Sequence, residues 1–221
     1  HNASLSVENA RSYENNGSSA ILNAVIPDLK DALLSINAHI EAPADEVQQY
    51  VWNSGLDPIL GRAAEHVQAS GQTEVEVDID VPLGKKRKAV EQLRVNGKIN
   101  LMDNELFFHV TNYQLTDLNG KLSLSMTSAH AEDIEGKFYG QPVAIRVATT
   151  EDGSNPETRF YLSGTWAIDT LLSVFDWQYP SLLDGQSHWD VVMHVPHKVT
   201  EYDLKFDASS DLKGLKIGFS D

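Results

Sequence analysis

The sequence has 221 residues, no cysteine, and 32 acidic against 17 basic residues, which gives a formal net charge of -15. This charge repels phosphate backbones, so nucleic acid is excluded as an expected partner, and the missing cysteines exclude disulfides and thiolate metal sites. The sequence contains no apolar run near the roughly 18 residues of a membrane-spanning helix, and it begins without a methionine or a signal-peptide pattern, so we expect a segment of a longer protein.

Strand signals dominate the chain, because short β-rich or alternating runs follow one another with turn residues between them. Asn-Gly at 96–97 and 119–120, and Gly-Lys at 97–98, 120–121 and 136–137, predict tight turns between strands. The pattern therefore predicts an antiparallel meander. The predicted strands are 5–13, 20–26, 33–42, 74–81, 91–101, 105–111, 121–126, 134–139, 143–149, 158–167, 188–195, 202–208 and 214–219.

Helix signals are confined to two places. The first covers about 44–68: Val47, Tyr50 and Val51 stand at helical spacing, and Asp57-Pro58 is a second start signal for a helix reaching Val67. The second covers about 168–176, where Asp169 can cap the helix. Its predicted apolar stripe is formed by Ile168, Leu171, Leu172 and Phe175.

A twelve-residue block occurs twice, at 71–82 and 185–196, and five of the twelve positions are identical. The two copies keep one apolar row of a period-two strand and change the other row. Each copy follows a predicted helix, so we expect two related units at 33–157 and 158–221, preceded by weakly assigned strands at 1–32. The conserved apolar row is Val75, Val77, Ile79 and Val81 in the first copy, and Trp189, Val191, Met193 and Val195 in the second.

The changed row of the repeat raises the question of a metal site. Glu74, Glu76, Asp78 and Asp80 project from one side of the first copy, but carboxylates spread along a flat row do not converge on one calcium ion. His188 and His194 share a face in the second copy, yet they are about 20 Å apart on an extended strand, too far for one zinc ion. We therefore interpret both rows as solvated surface, and we expect neither a metal nor another cofactor.

Two further features have alternative interpretations. Lys85, Lys86, Arg87 and Lys88 form one basic loop, which is either solvated or in contact with anionic lipid headgroups. Trp166, Phe175, Trp177, Tyr179 and Trp189 surround the second helix and either pack in the core or line an apolar groove. Catalytic and nucleotide-binding motifs are absent from the sequence, so we expect no enzyme activity.

Four degenerate motifs follow one another in a fixed order. They are the segment from Val95 to Asn104, the strand from Tyr113 to Leu122, the step Phe138-Tyr139-Gly140-Gln141-Pro142-Val143, and the tract that ends at Val195-Pro196. In this order they resemble the YhdP family, the large AsmA-like proteins of Gram-negative bacteria related to TamB. The resemblance covers about residue 33 to the C-terminus, and it includes no catalytic motif.

The resemblance implies a periplasmic segment of a long chain whose inner-membrane anchor lies elsewhere. It also implies a long, strongly curled antiparallel sheet with an apolar groove that conducts phospholipid towards the outer membrane and supports its permeability barrier. The expected partners are then phospholipid acyl chains and neighbouring β segments of the same chain. The expected groove residues are the conserved apolar row of the repeat.

An alternative fold also satisfies one-sided strands. Their apolar faces can pack against a second sheet in a compact β-sandwich, whose loops would recognise a protein or carbohydrate partner. The sequence leaves this binding or adaptor module open beside the lipid groove.

Overall fold

In the computed structural model the described residues are 4–13, 17–29, 33–53, 67–83, 93–109, 113–150, 156–174, 183–197 and 205–218. They form twelve strands and two short helices, so the prediction of a mainly β fold with few helices is confirmed. The elements in chain order are β1 (Leu5–Tyr13), β2 (Ser19–Ile26), β3 (Leu33–Pro43), α1 (Ala44–Asn53), β4 (Val67–Pro82), β5 (Arg94–Phe108), β6 (Tyr113–Ser125), β7 (Ala129–Phe138), β8 (Gln141–Thr150), β9 (Glu157–Ala167), α2 (Ile168–Val174), β10 (Leu183–Pro196), β11 (Lys205–Ser210) and β12 (Leu215–Ile217).

All twelve strands belong to one sheet. From β1 to β11 each strand pairs antiparallel with the next, and β12 pairs with β10 beyond the end of β11. The predicted antiparallel meander is therefore confirmed. The described residues form no second sheet, so the two packed layers of the alternative β-sandwich are not found.

The sheet has one apolar and one polar face. Side chains alternate between the two faces along each strand, and the registers place apolar residues opposite apolar residues of the next strand. On the apolar face Ile40, Val75 and Ile99 lie side by side on β3, β4 and β5. Further along, Ile145, Leu162 and Val191 do the same on β8, β9 and β10. The apolar rows thus continue across most of the sheet.

Burial of the apolar face is greatest in the middle of the sheet and falls towards its outer strands. Leu118 on β6 and Val147 on β8 are only 1% and 2% exposed, whereas Val7 on β1 and Phe206 on β11 are 49% and 47% exposed. The central side chains of this layer are therefore buried although the described strands include no second sheet to cover them.

Both helices lie at one end of the sheet, where β3 and β9 finish and β4 and β10 begin, and we call this the helical end. Ala44 and Val47 of α1 are buried, but Tyr50 is 68% exposed, so its predicted place in the apolar stripe is wrong. Gln48 accounts for this orientation: its amide binds the carbonyl of Val67 at 2.6 Å and accepts from the Ala69 N–H at 3.1 Å, which turns Tyr50 outward.

The second helix follows its predicted pattern. Ile168, Leu171 and Leu172 are buried, and Asp169 Oδ1 accepts a hydrogen bond from the Thr170 N–H at 2.7 Å. Phe175, with the rest of the prediction to 176, lies outside the described residues. The helix predicted from Asp57 to about residue 68 lies outside the described residues as far as residue 66. At Val67 and Gln68 the helix prediction is wrong, because β4 begins at Val67.

The turns predicted at Asn96-Gly97, Asn119-Gly120 and Gly136-Lys137 are wrong, because these pairs lie inside β5, β6 and β7. The predicted strands 91–101 and 105–111 are accordingly parts of one strand, β5. The positive φ angles that such residues favour do occur nearby, at Asp103, Asp117 and Gly120. They form β-bulges within long strands, which sequence alone does not distinguish from turns.

These bulges lie next to one another on consecutive strands. The register shifts at Ser70/Gln72 between β4 and β5, at Leu101/Asn104 between β5 and β6, and at Thr116/Asn119 between β6 and β7. Side chains fix the irregular backbone: Asn104 accepts from the Met102 N–H at 2.7 Å and donates to the Ser70 carbonyl at 3.0 Å. Each bulge bends its strand, so neighbouring bulges bend the sheet in one region.

The repeated block starts at a glycine in both copies for the same reason. Gly71 and Gly185 have φ angles of 98° and 105°. Gly71 lies at the register shift with β5, and Gly185 lies opposite Leu215 of β12, next to Gly214, which also has a positive φ. A Cβ at Gly71 would lie 2.7 Å from Asn104 Nδ2 and 3.1 Å from its Cα, and one at Gly185 would collide with the Gly214 carbonyl. Both positions require glycine.

We expect Gly71→Ala and Gly185→Ala each to lower the free energy of unfolding by about 2–4 kcal/mol, since strain at positive φ and overpacking add. Urea denaturation measures the effect. Gly140→Ala is the matched control for strain alone, because Gly140 has φ 78° but open space around it, and it should cost about 1 kcal/mol. Equal losses at Gly71 and Gly140 would contradict the close packing at the bulge.

Candidate functional site: the apolar face

The expected groove residues all lie on the apolar face of β4 and β10, but they differ in burial. Val75 and Val195 are buried and serve packing. The remaining six are half-buried, so part of each side chain is accessible: Val77, Ile79, Val81, Trp189, Val191 and Met193.

The half-buried residues join the core to the accessible part of the face. Val77, Trp189 and Val191 pack against the same hydrophobic cluster that contains Val75 and Leu171. The accessible surface is therefore held in place by a buried layer beneath it. The face can offer apolar contact to a ligand, and it carries no charged side chain at these positions.

The aromatic residues predicted near α2 separate into two groups. Trp166 is 1% exposed, and its ring lies edge-to-face with Phe138, with centroids 5.4 Å apart. Trp189 is half-buried on the neighbouring strand. Both therefore pack at the helical end of the apolar face, while Phe175, Trp177 and Tyr179 lie outside the described residues.

The acidic row of β4 is part of a cross-strand hydrogen-bond ladder on the polar face. Ser35 donates to Asp80 at 2.6 Å, Asn37 donates to Asp78 at 2.5 Å, and Asn100 donates to Glu74 at 3.1 Å. Glu76 lies opposite His39 and Lys98 in the register. These carboxylates are spread along the strand and bind neighbouring strands.

The histidines of the second copy have separate partners. His188 Nε2 lies 3.2 Å from Ser163 Oγ and 3.6 Å from Asp190 Oδ1, whereas His197 Nε2 lies 2.9 Å from the buried Thr158 hydroxyl. Burial lowers the pKa of His197 below its ordinary value. Across the described ranges, no three or more His, Asp or Glu side chains are grouped so that they could hold a metal ion.

His194 lies in a network of ionisable side chains, here called the ionisable network, that sequence reasoning missed. Its Nδ1 is 3.3 Å from Glu157 on β9 and its Nε2 is 3.0 Å from Asp207 on β11, and these carboxylates bind Arg159 and Lys205 respectively. This ionisable network joins three strands beside the edge of the sheet. Only the register between β9, β10 and β11 reveals it, because the three strands that contribute its residues are far apart in sequence.

The ionisable network lowers the pKa values of two carboxyl groups. Burial raises the pKa of Glu157, but hydrogen bonds from Arg159 and His194 outweigh it, and the pKa lies below its ordinary value. The hydrogen bond from Lys205 lowers the pKa of Asp207. Both carboxylates therefore stabilise the outer strands in their ionised form.

The basic loop Lys85, Lys86, Arg87 and Lys88 lies outside the described residues. β4 ends and β5 begins at the end of the sheet opposite the helical end. None of the helices in the described ranges is long and apolar enough to cross a membrane.

Comparison with known proteins identifies the family. The family model described as YhdP protein matches residues 2–221, which extends the predicted resemblance over the N-terminal strands. The chain is similar to the intermembrane phospholipid transporter YhdP of Escherichia coli (strain K12), with 26% identity over 197 residues. That alignment covers 88% of this chain and 15% of the relative's length. No solved structure matches the chain.

The ionisable network around His194 predicts that the stability of the fold depends on pH. Because the pKa values of Glu157 and Asp207 are lowered in the folded state, their stabilisation is complete above the ordinary values of 4.5 and 3.8 and disappears as the pH falls through the lowered values. Glu157→Gln should therefore melt at a lower temperature than the wild type at pH 7. The difference should shrink as the pH falls below 4.5.

Thermal melts between pH 7 and pH 3 check this expectation. Glu135→Gln removes an exposed carboxylate of β7 on the polar face and serves as the control, with a melting temperature close to the wild type at pH 7. A Glu157→Gln melting temperature equal to that of the wild type at pH 7 would contradict a stabilising role for the ionisable network.

Proposed function

Because this chain belongs to the YhdP family, we propose that it is a non-enzymatic segment of a periplasmic protein that carries phospholipid between membranes and supports the outer-membrane permeability barrier. The apolar face of the sheet is its working surface. Acyl chains lie along it, and the half-buried row of β4 and β10 contacts them. The parent protein is anchored in the inner membrane by a part of the chain that is not included here.

The observation that carries this proposal is the continuity of the apolar face. Its rows cross from β3 to β11, and on β4 and β10 it remains half-accessible although the layer beneath is packed. Each methylene transferred from water to such a face gains about 0.8 kcal/mol, so movement of an acyl chain along it needs no chemical step. The printed function of the relative, intermembrane phospholipid transport, supports the same conclusion.

A strongly curled sheet explains how one layer covers its own centre. Leu118, Val147 and their neighbours are buried although the described strands form a single sheet and the helices pack mainly on β3, β4, β9 and β10. The adjacent bulges of β4 to β7 supply the bend. Curling turns the apolar face inward as a groove, and the two helices shield its helical end.

Neighbouring segments of the same long chain extend the groove on both sides. In the described part, β1 pairs only with β2 and the side of β11 away from β10 has no partner strand, so both outer strands expose backbone donors and acceptors. An unpaired edge of this kind accepts a further strand. The relative is much longer than this chain, which leaves ample polypeptide to supply it.

Two related units built the segment. The last residue of β3, Pro43, pairs with Gln72, and the last residue of β9, Ala167, pairs with Gln186, so α1 and α2 start at equivalent registers. Thr73 and Ser187 are both buried next to these pairs. The repeat thus includes a strand, a helix, a second strand with a positive-φ glycine, and a bulged partner.

Photo-crosslinking tests the groove. Benzophenone side chains placed at Val77 or Val191 in the full-length protein should capture phospholipid, because both positions are half-buried on the apolar face. Glu76 and Asp190 are the matched controls, being the preceding residues on the polar face. Mass spectrometry of the crosslinked protein measures capture, and equal capture from both faces would contradict the proposal.

The basic loop is the proposed headgroup contact. Flotation with liposomes containing anionic phosphatidylglycerol should fall when Lys85, Lys86, Arg87 and Lys88 are all replaced by glutamine, since each contact contributes about 1 kcal/mol near such a surface. Liposomes of zwitterionic phosphatidylcholine provide the control and should show no difference. Equal flotation of both proteins on anionic liposomes would exclude the contact.

A further inference from the structure

Two buried hydrogen-bond donors lack a partner on the apolar face. Among the described residues, the buried side-chain nitrogen and oxygen atoms without a hydrogen bond are Trp166 Nε1 and Trp189 Nε1. Buried polar atoms in native proteins are nearly always paired, and an unpaired donor costs about 1–3 kcal/mol. The two exceptions are the same chemical group and lie on adjacent strands.

The two tryptophans flank one glycine in the strand register. Gly164 of β9 lies directly opposite Trp189 of β10, and Trp166 follows on the same face of β9. A Cβ at Gly164 would lie 2.7 Å from Nε1 and Cε2 of Trp166 and 2.7 Å from the Pro142 carbonyl oxygen. Gly164 therefore provides the space into which the Trp166 indole fits.

The surroundings of this pair are apolar. Leu162 and Val191 form the next cross-strand pair on the same face, and Phe138 lies against the Trp166 ring. A ligand that pairs these donors must bring an acceptor oxygen and yet be mostly apolar. A charged phosphate would lose much hydration in such a place, whereas a neutral carbonyl loses little.

We propose that Trp166 and Trp189 form a site for the ester carbonyl oxygens of a glycerol lipid whose acyl chains lie on the apolar face. This site rests on the proposed lipid-carrying function and adds a point at which hydrogen bonds fix the position of the lipid. Trp189 is half-exposed and receives the lipid first by turning its N–H edge outward. Trp166 is deeper and binds the second acceptor.

The ester linkage supplies a direct test. A benzophenone at Val191 in the full-length protein reports lipid at this place, and the protein is offered diacyl phosphatidylethanolamine or the dialkyl ether form, which lacks both carbonyls. Capture of the diacyl lipid should be about two- to tenfold more efficient at subsaturating lipid, the effect of one or two neutral hydrogen bonds. Trp166→Phe with Trp189→Phe should reduce the diacyl yield to the dialkyl yield.

The control variant is Tyr161→Phe, which removes a hydrogen-bond donor from an aromatic side chain on the polar face of β9 and should keep the preference for the diacyl lipid. Equal capture of both lipids by the wild type would overturn the site while leaving the groove intact. Capture of neither lipid at Val191 or Val77 would overturn the proposed function itself. A preference that persists in the double Phe variant would assign the carbonyl contact to other residues and overturn the role of the indoles.

Discussion

The structure depends on one constraint: an apolar face several strands wide must be removed from water within a single layer. Period-two alternation places the aliphatic side chains on one side, and the registers from β3 to β11 keep them there. Among the described residues, α1 and α2 cover the end near β3, β4, β9 and β10. The remaining face must bend towards itself or contact a ligand, and the partial exposure of Val77 and Val191 fits a surface that does both.

Bulges adapt the sheet to that constraint. Gly71, Asp103, Asp117 and Gly120 all have positive φ, and they lie where neighbouring registers shift. Asn104 binds backbone groups across the first shift, and Asn119 donates to Asp103 at 2.8 Å across the next. The polar side chains hold the bends without interrupting the ladder, so the strands remain long enough to form a continuous wall.

The polar face has a different role, since its charged side chains bind one strand to the next. Asn37 and Asn100 donate hydrogen bonds to the acidic row of β4, and the ionisable network through Glu157, His194 and Asp207 joins β9, β10 and β11. A segment of net charge -15 can therefore present carboxylates to solvent while its other face stays apolar. The proposed carriage of acyl chains requires this separation of charge and apolar surface.

Sequence alone determined the strand-rich meander, the place of α1 and α2, the repeated strand and the family, because alternation, capping residues and local motifs act over a few neighbouring positions. It did not determine that Asn96-Gly97 and Asn119-Gly120 lie within strands, that Tyr50 faces solvent, or that Glu157 meets His194. Those outcomes depend on register and on contacts between distant segments, and a turn and a bulge use the same residue types. Only the tertiary structure decided that the Trp166 indole lies over Gly164 and that Gly164 faces Trp189, since that register exists only after β9 and β10 have paired.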